Sequence, residues 1–314
     1  MEEGAQPTSH ISLMTVLIAL GVVILTGNPA VAFLIGALYS LIGDRPSSAK
    51  ISKVGTYCLQ IGIILLGLKL NAGQVLFLTR EYSVVVGSYV LLTMGAGLVI
   101  GKMVRKTDRS SQLITSGTAI CGGTAVATLS PVIGAKSEET GVALGLIFIL
   151  NSLALFTFPF VGEYLQMTQE QFGVWIALSV HDTSSVVATG TIFGEEAMKV
   201  ATTVKLGRTL WLIPLIFLFS TLQKKKGTNV RVPFFIVLFL LTASVGSFIS
   251  VPEQILVLAG KLTNYLLVMA LFFVGSSLTR SAIKNLKGAA LIQGLLLWAV
   301  VIPSTLLFVI SLAV

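Results

Sequence analysis

Residues 181 to 185 read His-Asp-Thr-Ser-Ser: an imidazole, a carboxylate and three hydroxyls in a row, set inside an apolar stretch. An ionisable side chain within a membrane segment is costly and points to a functional site. Asp182 with the hydroxyls of Thr183 and Ser184 can bind sodium, and Asp182 with His181 can exchange a proton. The bland alternative is that Asp182 caps a half-helix starting at Thr183, a role that coexists with ion binding.

A second constellation, Ile120-Cys121-Gly122-Gly123-Thr124, carries no charge. Its glycines let the backbone approach a ligand, and a half-helix starting there presents free N–H groups. Two such N-termini facing one another suit an anion; close helix packing through small residues is the competing account. Cys121 and Cys58 read as small buried apolar residues, without the spacing of a disulfide or zinc site.

Lys205 and Arg208 lie one helical turn apart, so they share a face. They would offset Asp182 or attract an anionic solute, or else snorkel to a headgroup. Asn151, in the middle of an apolar helix, is a weaker pore-facing candidate, with helix-to-helix hydrogen bonding as its alternative. Lys136, Glu138 and Glu139 read as a solvated hinge, and Lys224 to Lys226 as topology signals.

These residues need a membrane fold to hold them. Of 314 residues, 54% are hydrophobic and 11% charged, and mean hydropathy is +0.93; soluble domains carry about 25% charged residues. Residues 1–10 are expected to be an N-terminal tail and 11–314 a single transmembrane transporter domain. Apolar runs predict nine full helices, at about 11–26, 29–43, 51–70, 82–104, 139–160, 197–222, 232–249, 253–279 and 288–312. Segments 110–134 and 170–192 are apolar at both ends and polar in the middle, as expected where a helix unwinds beside a cavity. The fold class is therefore an all-α polytopic membrane protein with two interrupted or re-entrant segments.

The net charge of +8 sits in short loops: Arg45, Lys50 and Lys53; Lys102 to Arg109; Lys224 to Arg231; Arg280 to Lys287. Positive-inside places these in the cytoplasm and gives no cause to invoke nucleic acid. The loop Gly162 to Gln171, with Glu163 and Glu170 but no Lys or Arg, belongs outside. That placement favours two re-entrant hairpins, one from each face, over broken helices that cross.

Two internal matches run along the chain. TAICGGTAVAT (118–128) aligns with SVHDTSSVVAT (179–189), and LLGLKLN (65–71) with FVGSSLT (273–279). They imply inverted repeats in permuted order, residues 29–160 and 170–314, an architecture typical of secondary transporters.

With SGTAICGGTAVAT, SVHDTSSVVATG and AMKVATTVKLGRTLWLIPL in place, the chain resembles the YeiH-type sulfate exporter family, grouped with bile acid, arsenite and riboflavin transporters. Its "ICG" is matched by Ile120-Cys121-Gly122 and its "H-(D/E)-T" by His181-Asp182-Thr183. The resemblance implies interrupted core helices packed against a panel, and transport of a small anionic solute at the cytoplasmic membrane of a prokaryote. The sulfate label belongs to the family and does not fix the substrate.

The expected function is secondary active transport of a small anionic solute by alternating access, as a sulfate- or organosulfonate-type exporter by resemblance, with sodium or protons as coupling ion and no other cofactor. The expected partners are a small anionic solute, the lipid bilayer and, as an option, a second copy in a homodimer. A channel with re-entrant filter loops is the alternative. An intramembrane enzyme is less favoured, because no hydrolase, zinc-protease or phosphate-loop motif is present.

Overall fold

A computed structural model describes residues 9–43, 49–69, 72–105, 109–222, 234–249, 251–276 and 288–311. Fifteen helices make up the described residues: α1 Ser9–Thr26, α2 Pro29–Gly43, α3 Ala49–Gly67, α4 Ala72–Glu81, α5 Ser83–Arg105, α6 Arg109–Ala119, α7 Gly123–Ile133 and α8 Ser137–Tyr164, then α9 Gln169–Ser179, α10 Thr183–Phe193, α11 Glu195–Thr209, α12 Leu212–Leu222, α13 Phe234–Phe248, α14 Glu253–Gly275 and α15 Ala289–Ser311. The protein is an all-helical polytopic membrane protein. Five helical stretches, Ser83–Val104, Glu138–Tyr164, Glu195–Phe219, Glu253–Gly275 and Ala289–Ser311, are long and apolar enough to cross a bilayer, and shorter apolar helices accompany them.

The expected segments are recovered with two corrections. The first helix begins at Ser9, and residues 1–8 of the expected tail lie outside the described residues. A ten-residue helix, α4, lies between the expected helices 51–70 and 82–104, where none was expected, because its apolar residues are too few to register as a span. The helix expected at 197–222 is interrupted at Leu210–Trp211, just before Pro214, which has no N–H to give to the helical ladder. Of the basic loops, 224–231 and 280–287 lie outside the described residues.

Segments 110–134 and 170–192 are re-entrant hairpins. In the first, α6 and α7 part at Ile120–Gly122, and their outer ends rejoin where Arg109 donates from Nη1 to the Gly134 carbonyl. In the second, α9 and α10 part at Val180–Asp182, and the rings of Phe172 and Phe193 stack with centroids 3.8 Å apart at the outer end. Gln169 strengthens that closure by accepting from the N–H groups of Glu196 at 3.0 Å and Ala197 at 3.2 Å. Each arm has 11 residues, about 16 Å of helix, or half of a ~30 Å hydrocarbon core. The 28-residue α8, about 42 Å long, runs from the outer end of the first hairpin to that of the second. The hairpins therefore enter from opposite faces.

Two bodies result. A core of α5 to α12 and α15 shares one apolar cluster, in which Leu113, Ile120, Leu146, Trp175, Ile176, Val204 and Leu297 are buried. A panel of α1, α2, α3, α13 and α14 packs against it through two smaller clusters. Within the panel the repeat is visible as a reciprocal contact. Gly67 closes α3, and a Cβ there would stand 2.7 Å from the Phe239 carbonyl oxygen of α13; Gly275 closes α14, and a Cβ there would strike the Phe33 carbonyl of α2. These glycines occupy equivalent places in LLGLKLN and FVGSSLT, so each unit lends its second helix to the other unit's first.

Candidate functional site

Asp182 forms the tip of the second hairpin. The backbone leaves the helical region at Val180 and re-enters at Thr183, and Asp182 is the N-cap of α10: its Oδ2 accepts the Ser184 N–H at 3.0 Å and also the Ser184 hydroxyl. The capping alternative is thus realised, and it occupies one carboxylate oxygen. Asp182 stays partly accessible, whereas His181, Thr183, Ser184 and Ser185 are buried.

The first hairpin turns at Gly122, whose φ of 56° and ψ of −116° suit glycine. A Cβ there would lie 3.2 Å from the Asp182 nitrogen and the His181 carbonyl, so the two tips touch. No side chain caps α7 from Gly122, and the first N–H groups of a helix have no intrahelical partner; that of Ala125 is engaged by Cys121. Asn151 braces the junction from α8, accepting the His181 N–H on Oδ1 at 3.0 Å. The Asn151 Nδ2 and both ring nitrogens of His181 are buried without a hydrogen-bond partner.

The two cations lie on the other side of the crossing. Arg208 donates from Nε to Ala119 O at 2.9 Å, from Nη2 to Thr118 O, and from Nη1 to Ala177 O at 2.8 Å and Leu178 O at 2.6 Å. Lys205 donates to Val180 O at 2.6 Å. Both side chains are 0% exposed, and the Tyr89 ring lies 4.5 Å from the guanidinium. The carbonyls they engage lie at the electronegative C-terminal ends of α6 and α9, where the helix supplies no N–H partner; Thr118 O also accepts from the Tyr89 hydroxyl at 3.2 Å. Neither side chain reaches a headgroup, so the snorkelling alternative does not hold, and neither borders the cavity that holds Asp182. The crossing is divided into a carbonyl side closed by two cations and an amide side that faces the panel.

That amide side opens into a cavity of about 360 Å³. Gly123, Thr124, Asp182, Thr183 and Ser184 form its core wall, Leu144 and Phe148 of α8 extend it, and Thr56, Gln60, Phe235 and Phe273 face them from the panel. Cys121, Gly122, Asn151, His181 and Ser185 sit behind the wall. The panel residues were not anticipated. Gln60 alone offered a signal, as a lone amide within an apolar helix; the phenylalanines look like any lipid-facing or core residue.

Toward the end of the hairpin-two arms the panel and core meet around a smaller cavity of about 190 Å³, lined by Leu66, Lys69, Thr191, Glu195, Met198 and Leu267. Val187 and Met198 pack with Ile63, Leu66 and Leu267. Beyond them Lys69, just past α3, pairs with Glu195 at the start of α11 at 2.6 Å, and Lys199 adds a second contact to Glu195 at 3.4 Å.

A family model described as conserved hypothetical protein 698 matches residues 8–294. The chain belongs to this family. The membership agrees with the YeiH-type resemblance. A UPF0324 membrane protein of Bacteroides thetaiotaomicron is 41% identical over 285 residues, covering 90% of this chain and 86% of its own. Another from Porphyromonas gingivalis is 39% identical over 287 residues, covering 90% and 87%, and one from Photobacterium profundum is 35% identical over 299 residues, covering 95% and 91%. No solved structure matches the chain.

Proposed function

We propose that the protein is a secondary transporter that moves a small anionic solute across the cytoplasmic membrane by alternating access, coupled to sodium or protons through Asp182. The observation that carries this reading is the meeting of two oppositely inserted hairpin tips beside a cavity at the core–panel boundary. Helix ends meeting near the midplane let a small relative movement of two bodies expose one site to either side. The uncapped N-terminus of α7 supplies N–H donors for an anion. Asp182, with Thr183 and Ser184, is the proposed cation site, and a bound sodium or proton would relieve its repulsion of the solute.

A carrier needs a barrier on one side of its site at any moment, whereas an open channel needs none. The cavity lies by the first half of α3, the start of α13 and the end of α14, all next to basic segments of the sequence. The opposite side has an apolar layer around Ile63, Val187 and Leu267, the Lys69–Glu195 pair and a smaller cavity of about 190 Å³. The larger cavity beside the basic segments supports the reading of a carrier resting open toward the cytoplasm. Purified protein in liposomes should show saturable uptake and accelerated counterflow of a labelled organic or inorganic anion under an imposed sodium or proton gradient. Ohmic current without counterflow would assign the fold to a channel instead.

A further inference from the structure

Building on the alternating-access reading, we infer that the solute path continues from the hairpin tips along a seam between α3, α10 and α14 to the smaller cavity, and that Lys69 binds the anion there, in the place that Glu195 takes in this state. Lys69, Thr263 and Asn264 line this cavity of about 190 Å³ from the panel, Thr191 and Glu195 from the core. Its apolar lining residues, Leu66, Met198 and Leu267, belong to the layer that separates it from the larger cavity. All three helices border both spaces. Gln60 and Leu66 lie six residues apart on α3, Ser184 and Thr191 seven on α10, and Leu267 and Phe273 six on α14, so about 9–10 Å of helix divides the cavities. Ile63, Val187 and Leu267 fill that interval. On α3 the residues Gln60, Ile63, Leu66 and then Lys69 follow at helical spacing, and on α10 Thr183, Val187 and Thr191 do the same. One face of each therefore runs polar, apolar, polar, the pattern of a path closed by a single layer.

Lys69 reaches across the seam from the panel. Its side chain passes over Gly260 of α14, where a Cβ would stand 3.3 Å from Nζ and 3.6 Å from Cε, and Nζ meets Oε1 of Glu195 in the core at 2.6 Å. Glu195 has a second cation in Lys199, 3.4 Å away and one turn along α11, and Lys199 also approaches Glu196 at 3.7 Å. Parting the panel from the core therefore leaves Glu195 paired within the core and Lys69 without a carboxylate, beside the exposed amide of Asn264. The hydroxyls of Thr191 and Thr263 donate to the carbonyls of Val187 at 2.7 Å and Gly62 at 3.5 Å, so the donors this end offers a small anion are Lys69 and Asn264. Partly exposed ion pairs are weak, which lets a solute anion exchange with Glu195 while Lys199 neutralises the carboxylate it displaces.

The test uses the full chain carrying Cys58→Ser and Cys121→Ser and one reporter, modified by anionic sulfonatoethyl or cationic trimethylammonioethyl methanethiosulfonate. With Thr191→Cys as reporter in detergent, Glu195→Gln frees Lys69 and should raise the ratio of anionic to cationic rates by about threefold, the order of an exposed charge interaction. Lys69→Gln should lower that ratio. Glu196→Gln makes the same charge change without touching Lys69 and should move the ratio less than half as far; a general change in stability or access cancels in the ratio. Equal effects of Glu195→Gln and Glu196→Gln, or a ratio indifferent to Lys69→Gln, overturn Lys69 as the anion site. At constant ionic strength, sulfate or benzoate should slow the anionic reagent in Glu195→Gln and not once Lys69→Gln is added. Slowing by phosphatidylglycerol and by neither soluble anion gives Lys69 to a lipid headgroup and overturns the inference.

The seam is tested in oriented membrane vesicles with Gln60→Cys as reporter. The native layer should admit reagent from the cytoplasmic side alone, and Leu267→Ala should admit it from the far side as well. Leu267→Val and Val187→Ala, milder changes in the same layer, make the same test if Leu267→Ala does not fold. A reporter still shielded from the far side in every folded layer variant overturns the seam and leaves the cytoplasm-open reading standing. Modification of the native-layer reporter from the far side alone, or from neither side, removes that reading itself.

Discussion

The Oδ1 atom of Asn151 accepts the backbone N–H of His181 at 3.0 Å, which fastens the middle of α8 to the tip of the second hairpin. Since α8 also joins the outer ends of both hairpins, this single bond relates the depth of the tip to the helix that spans the membrane. Asn151→Leu keeps the volume and removes the acceptor, leaving a buried N–H unpaired. The expected cost is about 1–3 kcal/mol, read as a lower midpoint of thermal unfolding in detergent. An unchanged midpoint would mean that His181 finds another acceptor and that Asn151 is not a brace.

Gly122 offers a test of the contact between tips. Its φ of 56° is one that side chains with a Cβ adopt at a cost of about 1–3 kcal/mol, and the added atom would crowd His181 and Asp182 at 3.2 Å. Gly122→Ala should therefore lower stability and depress transport more than Gly123→Ala, whose Cβ would meet its nearest neighbour at 3.8 Å. Comparable effects of the two substitutions on liposome uptake would remove the special role of the tip.

Much of this arrangement was legible in the sequence because the membrane makes polar residues conspicuous. His181, Asp182 and the run of small residues at 120–124 announced the two breaks, and the missing Lys and Arg in Gly162 to Gln171 favoured hairpins over crossing helices. Lys205 and Arg208 were legible as buried charge, but the carbonyls they engage were not. Their neighbours on α11 say nothing of the carbonyls waiting at Thr118, Ala119, Ala177 and Leu178, which come from helices remote in sequence. The panel wall was hidden for the opposite reason: Phe148, Phe235 and Phe273 differ in no pattern from residues that face lipid.

Arg208 changes what substitution is expected to do. An anion-attracting surface cation would tolerate Gln; a guanidinium that satisfies four carbonyls in two hairpins will not. Arg208→Gln leaves several buried acceptors unpaired at about 1–3 kcal/mol each, a loss comparable with the ~5–15 kcal/mol margin of folded proteins. It should abolish the monodisperse peak in size-exclusion chromatography of detergent extracts. Arg208→Lys keeps the charge at the carbonyl ends without the planar fork, so it should fold with reduced stability. A well-folded Arg208→Gln protein with weakened anion binding would return Arg208 to the binding site.

Asp182 is the residue in which cap and coupling group coincide, and the two roles separate on substitution. Asp182→Asn retains a side-chain oxygen able to accept the Ser184 N–H that Oδ2 now takes at 3.0 Å, and Asn caps helices about as well as Asp. Thermal stability should therefore shift little. The amide has no charge to attract sodium and no proton to exchange at physiological pH, so transport driven by an imposed ion gradient should be lost. Exchange of solute for solute, which needs no net ion movement, should continue in the same liposomes if the neutral side chain mimics the ion-loaded state. That split between lost accumulation and retained counterflow is what a merely structural residue does not produce. Full gradient-driven accumulation by Asp182→Asn would confine Asp182 to capping α10 and move the coupling site elsewhere in the crossing.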